Sequence, residues 1–366
     1  MRRSQRILPV YTGDVSGACS ALFELGGMVV IHDPSGCNST YNTHDETRWY
    51  DHDSLIFISG LVERDAILGN DEKFLDDVVD AARELHPRFV ALCNSPIPFI
   101  TGTDFRALCK LVERRTGIPC FYVSTNGMHD YTVGAGGAFA AIAERFVQEG
   151  RRRKGTLNIL GATPLDFSER DAPVALRAFA EDAGFSVTSC WAMGSTLEEL
   201  TRASEAAVNL VVSSVGIPAA QVLRKRFGTP YVVGRPCGAF SAALADELHA
   251  AAIADACAWP CRDLRAPVAS DARYVVGEPV DAGSFAVACE LAGEPSVRVV
   301  CATESAYDLL APQDVHADGE EDVEVALADA KVAYADALYA PVLPAGARLI
   351  ARPHLAFSGR MAQAAV

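Results

Sequence analysis

Residues 149–161 read EGRRRKGTLNILG. The first seven are polar, basic and bracketed by glycines, a composition that links rather than packs; the next are an apolar run closed by Gly161. A buried strand therefore restarts at Leu157–Leu160 after a break in the apolar pattern. Outward from it toward the C-terminus, strand-like runs at Ser186–Trp191, Leu210–Ser213 and Tyr231–Val233 alternate with helical spacing at Val174–Ala183, Leu197–Ala203, Ala219–Phe227 and Ser241–Ala256. Toward the N-terminus the alternation repeats. Strands are expected at Met28–Ile31, Arg88–Leu92 and Cys120–Val123, and helices at Glu72–Leu85, Phe105–Thr116 and Ala138–Gln148. Beyond an irregular stretch at Pro260–Ala272, a third series has strands at Tyr274–Val276, Val297–Cys301 and Arg348–Ala351, with a helix near Ser284–Leu291. Strands alternating with helices build parallel sheets covered on both faces. The expectation is an α/β chain of three Rossmann-like domains, residues 1–150, 151–268 and 269–366, around a central cleft. Ligands in such folds bind outside the carboxyl ends of the strands.

Composition narrows the function. A chain of 366 residues, half hydrophobic and 22% charged, is globular and large enough for several cores. A net charge of −15 removes any general attraction for phosphate backbones, so no nucleic-acid partner is expected. No apolar stretch reaches spanning length, and the opening MRRSQRILPVYTGD has no apolar signal core. A cytoplasmic protein without a membrane partner is the expectation. Eleven cysteines, an odd number, argue against a complete disulfide framework and for metal or catalytic thiols. Cys109, Cys120, Cys190, Cys289 and Cys301 lie in apolar context and read as small buried hydrophobes.

Three other cysteines stand apart, two of them at strand ends. Cys19 sits in SGACS just before an expected short helix, Cys37 ends HDPSGC just after the Met28–Ile31 strand, and Cys93 ends the Arg88–Leu92 strand in LCNSP. Their intervals of 18 and 56 residues are too long for a zinc knuckle or a ferredoxin run. In order and context they resemble the three cluster-binding cysteines of the nitrogenase component 1 superfamily. Further matches are ISGLVERDAILG at 58–69, NSPIPFITGTD at 94–104, NILG at 158–161, GSTLEEL at 194–200 and FGTPY at 227–231. The resemblance covers most of the chain and is loosest in the third series.

The resemblance implies an iron–sulfur cluster on Cys19, Cys37 and Cys93, lying at a subunit interface. [4Fe–4S] is the simpler assembly and a larger shared cluster the alternative. It implies a homodimer, or a heterodimer with a paralogue, and an ATP-dependent iron–sulfur reductase of the nitrogenase iron-protein type, docking near Glu63–Gly69. The chain itself carries no P-loop. Gly134, Gly136 and Gly137 read as a turn before a helix. Where the family places the cysteine that anchors the iron–molybdenum cofactor, this chain has Ser213 and Ser214, and a hydroxyl is a poor substitute for a thiolate. The family's cofactor histidine has a partial counterpart, His354, in PHLAFSG. The reading is a reductase subunit without that cofactor, acting on a small unsaturated or tetrapyrrole-type molecule, with His44, Asp45 or His354 supplying protons. Arg235 and Cys237 follow a strand and are placed toward the same cleft, Arg235 to hold carboxylates; Cys257 and Cys261 read as structural. The rival readings are a scaffold for metallocluster assembly and a cluster-free binding protein of the same fold.

Overall fold

The computed structural model describes residues 6, 11–36, 41, 45–167, 171–267, 272–304 and 307–358. It contains three all-parallel sheets. The first series runs α1 (Asp14–Leu22), β1 (Met28–His32), β2 (Leu55–Ile58), α2 (Glu63–Leu68), α3 (Asp71–Leu85), β3 (Val90–Asn94), α4 (Pro96–Thr101), α5 (Phe105–Thr116), β4 (Cys120–Val123) and α6 (Tyr131–Arg145). Its sheet order is β2-β1-β3-β4.

The second series is β5 (Thr156–Ala162), α7 (Ala172–Asp182), β6 (Ser186–Ala192), α8 (Leu197–Thr201), β7 (Val208–Val211), α9 (Ile217–Phe227), β8 (Tyr231–Val233), α10 (Phe240–Ala254) and α11 (Pro260–Asp263), with order β6-β5-β7-β8. The third is β9 (Arg273–Gly277), α12 (Pro279–Leu291), β10 (Val297–Cys301), β11 (Val315–His316), α13 (Glu320–Ala326), β12 (Val332–Ala335) and β13 (Arg348–Ala351), with order β11-β10-β9-β12-β13. No helix among the described residues is long and apolar enough to cross a membrane.

The period-two geometry of the first sheet positions the chemistry. Met28, Val30, Val90 and Leu92 face one way and pack with Phe74, Leu75, Val78 and Val79 of α3 and Leu108 and Val112 of α5. Val29, Ile31, Ala91 and Cys93 face the other way, into the core that holds Cys19 of α1 and Ala135, Ala138 and Phe139 of α6. Helix α5 begins on Asp104, whose carboxylate accepts the Ala107 N–H at 3.0 Å, and stops at Gly117 with φ 75°.

Several expectations need correction. Cys19 is inside α1, not before a helix, and Cys93 is the penultimate residue of β3, which runs Val90–Asn94 rather than Arg88–Leu92. The glycines at 134, 136 and 137 are not a turn: they lie within α6. A β-carbon at Gly134 would sit 1.7 Å from the Asp14 carbonyl oxygen, and one at Gly17 would sit 2.2 Å from that of Tyr131. Small residues here let two helix backbones touch, a use of glycine that turn-reading overlooks. Strands β2, β11 and β12 and helix α2 were not anticipated, because each is short or half-exposed and has little periodicity to read.

Candidate functional site

Helix α1 carries three polar or sulfur side chains on one face, Ser16 and, one turn on, Cys19 and Ser20. Ser16 Oγ donates to Asp45 Oδ2 at 3.5 Å. Cys19 and Cys93 are fully buried in the same core, and their thiols are close enough for Cys93 to influence the titration of Cys19. Burial pushes the Cys19 thiol well above its usual range, and the Cys93 thiol and the Glu46 charge push it further the same way. Ser20 Oγ donates to Glu46 Oε2 at 2.6 Å. Spacings of three and four residues put these side chains on one face of the helix.

Glu46 and Arg48 form a buried forked ion pair beside the thiols. Arg48 Nε and Nη2 donate to Glu46 at 2.8 and 2.9 Å, Nη1 reaches Glu24 at 2.9 Å, and Nη2 also donates to the Ser20 carbonyl at 2.7 Å. The guanidinium stacks 4.5 Å from the Phe23 ring. Burial lowers the Arg48 pKa, but the charges and hydrogen bonds of Glu46, with Glu24 and Tyr41, outweigh it and the net direction is upward. Cys37 and His44 lie outside the described residues, so of the three expected thiols the structure brings two together. Among the described residues no three His, Cys, Asp or Glu side chains converge as a metal-binding group.

Asp45 faces a cleft of about 810 Å³ between the first and third sheets, lined also by Tyr11, Asp14, His129, Glu304 and Ser358. Ser358 Oγ donates to Asp45 Oδ1 at 3.0 Å. His354, four residues earlier in the chain, stands behind Tyr11, their rings edge-on at 5.0 Å.

His354 belongs to a buried junction that sequence reasoning did not assemble. Asp166, four residues past β5, is its centre. Tyr131 Oη donates to Asp166 Oδ1 at 2.5 Å, Ser213 Oγ donates to Oδ2 at 2.7 Å, and His354 Nε2 lies 3.2 Å from Oδ1. Each partner follows a strand end or opens a helix: Tyr131 heads α6, Ser213 follows β7 and His354 follows β13. Glu278, just past β9, accepts the backbone N–H groups of Ser214 and Asp281 at 2.8 Å each. Burial, then the charge of Asp166, pushes Glu278 up to about 8. The strand-end rule could have found Asp166 and Glu278, but neither lies in a motif.

Arg235 does hold a carboxylate, but one from the protein. Arg235 and Arg352 both pair with Asp281, Arg352 Nη2 at 3.0 Å. Burial raises the Asp281 pKa, and the two guanidinium groups outweigh it and hold the carboxyl below its usual range. Burial beside this triad pushes the Cys237 thiol up to about 11. Cys261 is buried in α11 and Cys257 is partly exposed.

Helices α2 and α4, which follow β2 and β3, lie side by side. They expose Ile67, Leu68, Phe99 and Ile100, with Ile100 79% exposed. Helix α4 begins three residues after Cys93, so this apolar surface adjoins the thiol pair through the chain itself.

Residues 14–252 match the family described as nitrogenase component 1 type oxidoreductase. One polypeptide of the light-independent protochlorophyllide reductase of Nostoc punctiforme is 23% identical over 221 residues, 57% of this chain and 43% of that protein. The nitrogenase iron-molybdenum cofactor biosynthesis protein NifE of Clostridium pasteurianum is 25% identical over 239 residues, 60% of this chain and 51% of that protein. The chain thus spans about half the length of the relatives it matches. A solved structure of nitrogenase Cp1 at pH 6.5 shares the fold, with a TM-score of 0.60 and 18% identity, over 83% of this chain and 64% of that one.

Proposed function

The chain belongs to the nitrogenase component 1 type oxidoreductases, and from that premise we propose that it is the iron–sulfur subunit of a nitrogenase-like reductase that lacks an iron–molybdenum cofactor. The observation that carries this reading is the burial of the Cys19 and Cys93 thiols as neighbours in one core between α1 and β3. The donor set fits a cluster: two soft ligands meet on rigid elements, and burial that holds Cys19 protonated is overcome when iron binds the thiolate. Cys19, Cys93 and, by the family resemblance, Cys37 would hold it, as [4Fe–4S] or as a larger cluster shared between subunits. Such a group supplies low-potential one-electron transfer.

The chain's own side chains do the rest. The Glu46–Arg48 pair ties the segment after Cys37 to α1 and keeps water from the thiols. Asp45, His354 and His44 handle protons for a small unsaturated or tetrapyrrole-type substrate in the cleft. Ser213 is committed to Asp166, which supports the absence of a cofactor ligand at that position. The apolar surface of α2 and α4 suits a docking partner, an ATP-dependent reductase of the iron-protein type. A cytoplasmic homodimer, or a heterodimer with a paralogue, built from units 1–150, 151–268 and 269–366, completes the proposal.

The similarity to a cofactor biosynthesis protein favours a second reading, a scaffold that holds a metallocluster and passes it on. One experiment addresses both. The protein is purified without oxygen beside Cys37→Ala, and iron, acid-labile sulfide and the visible spectrum are measured. Iron and sulfide present in the wild type and lost in the variant support a cluster. Turnover with a reductase then supports the first reading, and transfer of the iron to an apo-acceptor supports the second. No iron after reconstitution rejects both.

A further inference from the structure

The Asp166 junction goes beyond the family's thiols and rests on the reading of His354 as a proton-handling group. The proton positions follow from the geometry. Tyr131 has a single hydroxyl proton, and its 2.5 Å contact commits that proton to Asp166 Oδ1. Ser213 commits its own to Oδ2 at 2.7 Å. His354 Nε2 faces both Asp166 Oδ1, at 3.2 Å, and Tyr131 Oη, at 3.1 Å. Both of those oxygens present lone pairs to the ring. A bare Nε2 would set lone pair against lone pair; an Nε2–H satisfies the contact. The other ring nitrogen, Nδ1, is buried and has no hydrogen-bond partner among the described residues. An Asp carboxylate behind one imidazole nitrogen, with the other nitrogen unpaired among the described residues, is an arrangement that orients a histidine for proton transfer and stabilises its imidazolium.

We propose that Asp166 is a positioning residue that holds His354 as the Nε2–H tautomer, making Nδ1 the atom through which His354 exchanges a proton at the three-sheet junction. In the reductive direction the Nδ1–H bond of the imidazolium breaks and its electron pair stays on nitrogen. The proton goes to an anionic atom of a substrate already reduced by the iron–sulfur donor, and His354 returns to the neutral Nε2–H form. Four further groups face this unit. The Asp336 carboxylate accepts the His354 backbone N–H at 3.0 Å. The Tyr11 ring lies against the imidazole. Glu278 stands beyond Asp166, and Asp130 adds its charge near Tyr131. None of the four is aimed at Nε2, so the tautomer is assigned to Asp166.

The test is long-range ¹H–¹⁵N correlation NMR on the full chain labelled at histidine, prepared free of iron, with His354 assigned from His354→Gln. The wild type should show a protonated Nε2 and a lone-pair Nδ1 at pH 8, and acidification should move the Nδ1 shift while Nε2 barely changes. In Asp166→Asn the amide can offer its own N–H to Nε2, so the tautomer should invert and acidification should move Nε2. Tyr131→Phe keeps the carboxylate and should keep the wild-type pattern. A wild-type Nδ1–H tautomer overturns the proposal without any variant needing to fold, and so does an Asp166→Asn spectrum identical to wild type. Because the readout needs neither iron nor substrate, its failure is separate from failure of the cluster reading.

Discussion

The thiol of Cys19, on helix α1, neighbours that of Cys93, on strand β3, in one buried core, although 74 residues separate them in the chain. Both are fully buried, on the side of the first sheet that faces α1. If this pair holds iron, Cys19→Ala and Cys93→Ala should each lose most of the iron of anaerobically purified protein. Cys109→Ala should lose none, since Cys109, on α5, packs with α3 and Cys120 on the opposite face. Iron analysis of the three variants checks it; equal iron in all three would remove the pair from the site.

Gly134 and Asp14 are in backbone contact, and no side-chain movement relieves a β-carbon placed 1.7 Å from a carbonyl oxygen. Gly134→Ala should therefore destabilise the chain by about 3 kcal/mol or more, the upper part of the overpacking range, despite alanine's better helix propensity. Urea denaturation measures it. Gly137→Ala, where the added carbon meets only Val123 Cγ1 at 3.6 Å, should be neutral or better.

The buried Glu46–Arg48 pair is costly to break from one side only. Glu46→Gln should cost on the order of 1–3 kcal/mol, because a guanidinium that is 3% exposed keeps Glu24 but loses its closest charged partner. A paired replacement of both residues by apolar ones should recover much of that loss. Denaturation of the single and double variants separates the two outcomes.

Glu278 links stability to pH. Its pKa rises from 4.5 in the unfolded chain to about 8 in the folded protein, driven by burial and then by Asp166. The folded state therefore binds the extra proton in that window. The stability Glu278 contributes is complete below about pH 4.5 and is lost as pH rises through about 8. Glu278→Gln, whose amide oxygen can still accept from Ser214 and Asp281, should flatten the decline in unfolding free energy between pH 5 and 8 by about 3–4 kcal/mol. An unchanged slope would show that Glu278 does not titrate there.

Ile100, on α4, is 79% exposed beside Leu68 and Ile67 of α2, which are 71% and 74% exposed. A charge at Ile100 should leave folding and iron content unchanged, since the side chain is in water. Reduction of the protein by a purified nitrogenase iron protein with MgATP, the probe for a docking reductase, should fall at least about tenfold in Ile100→Asp. A rate equal to wild type would place docking elsewhere.

Much of the fold was legible because apolar periodicity is local. The long amphipathic stretches of α3 and α5 and the apolar runs of β1, β3 and β5 declare themselves within a few residues. Strand β2 was not legible, because it is half-exposed, and the glycines of α6 were misread, because their reason lies on another helix. Cys19 and Cys93 were legible through the words around them, not their spacing.

By itself the sequence determined the parallel α/β architecture and its alternating faces, since these depend on residue type and on periods of two and 3.6. Only the tertiary structure decided that Asp166 gathers Tyr131, Ser213 and His354, and that Asp281 takes both Arg235 and Arg352. Each of those groups follows a different strand or opens a different helix. A hydrogen bond or ion pair between them exists only once three sheets have packed, because its geometry is set by distances across the fold and not along the chain.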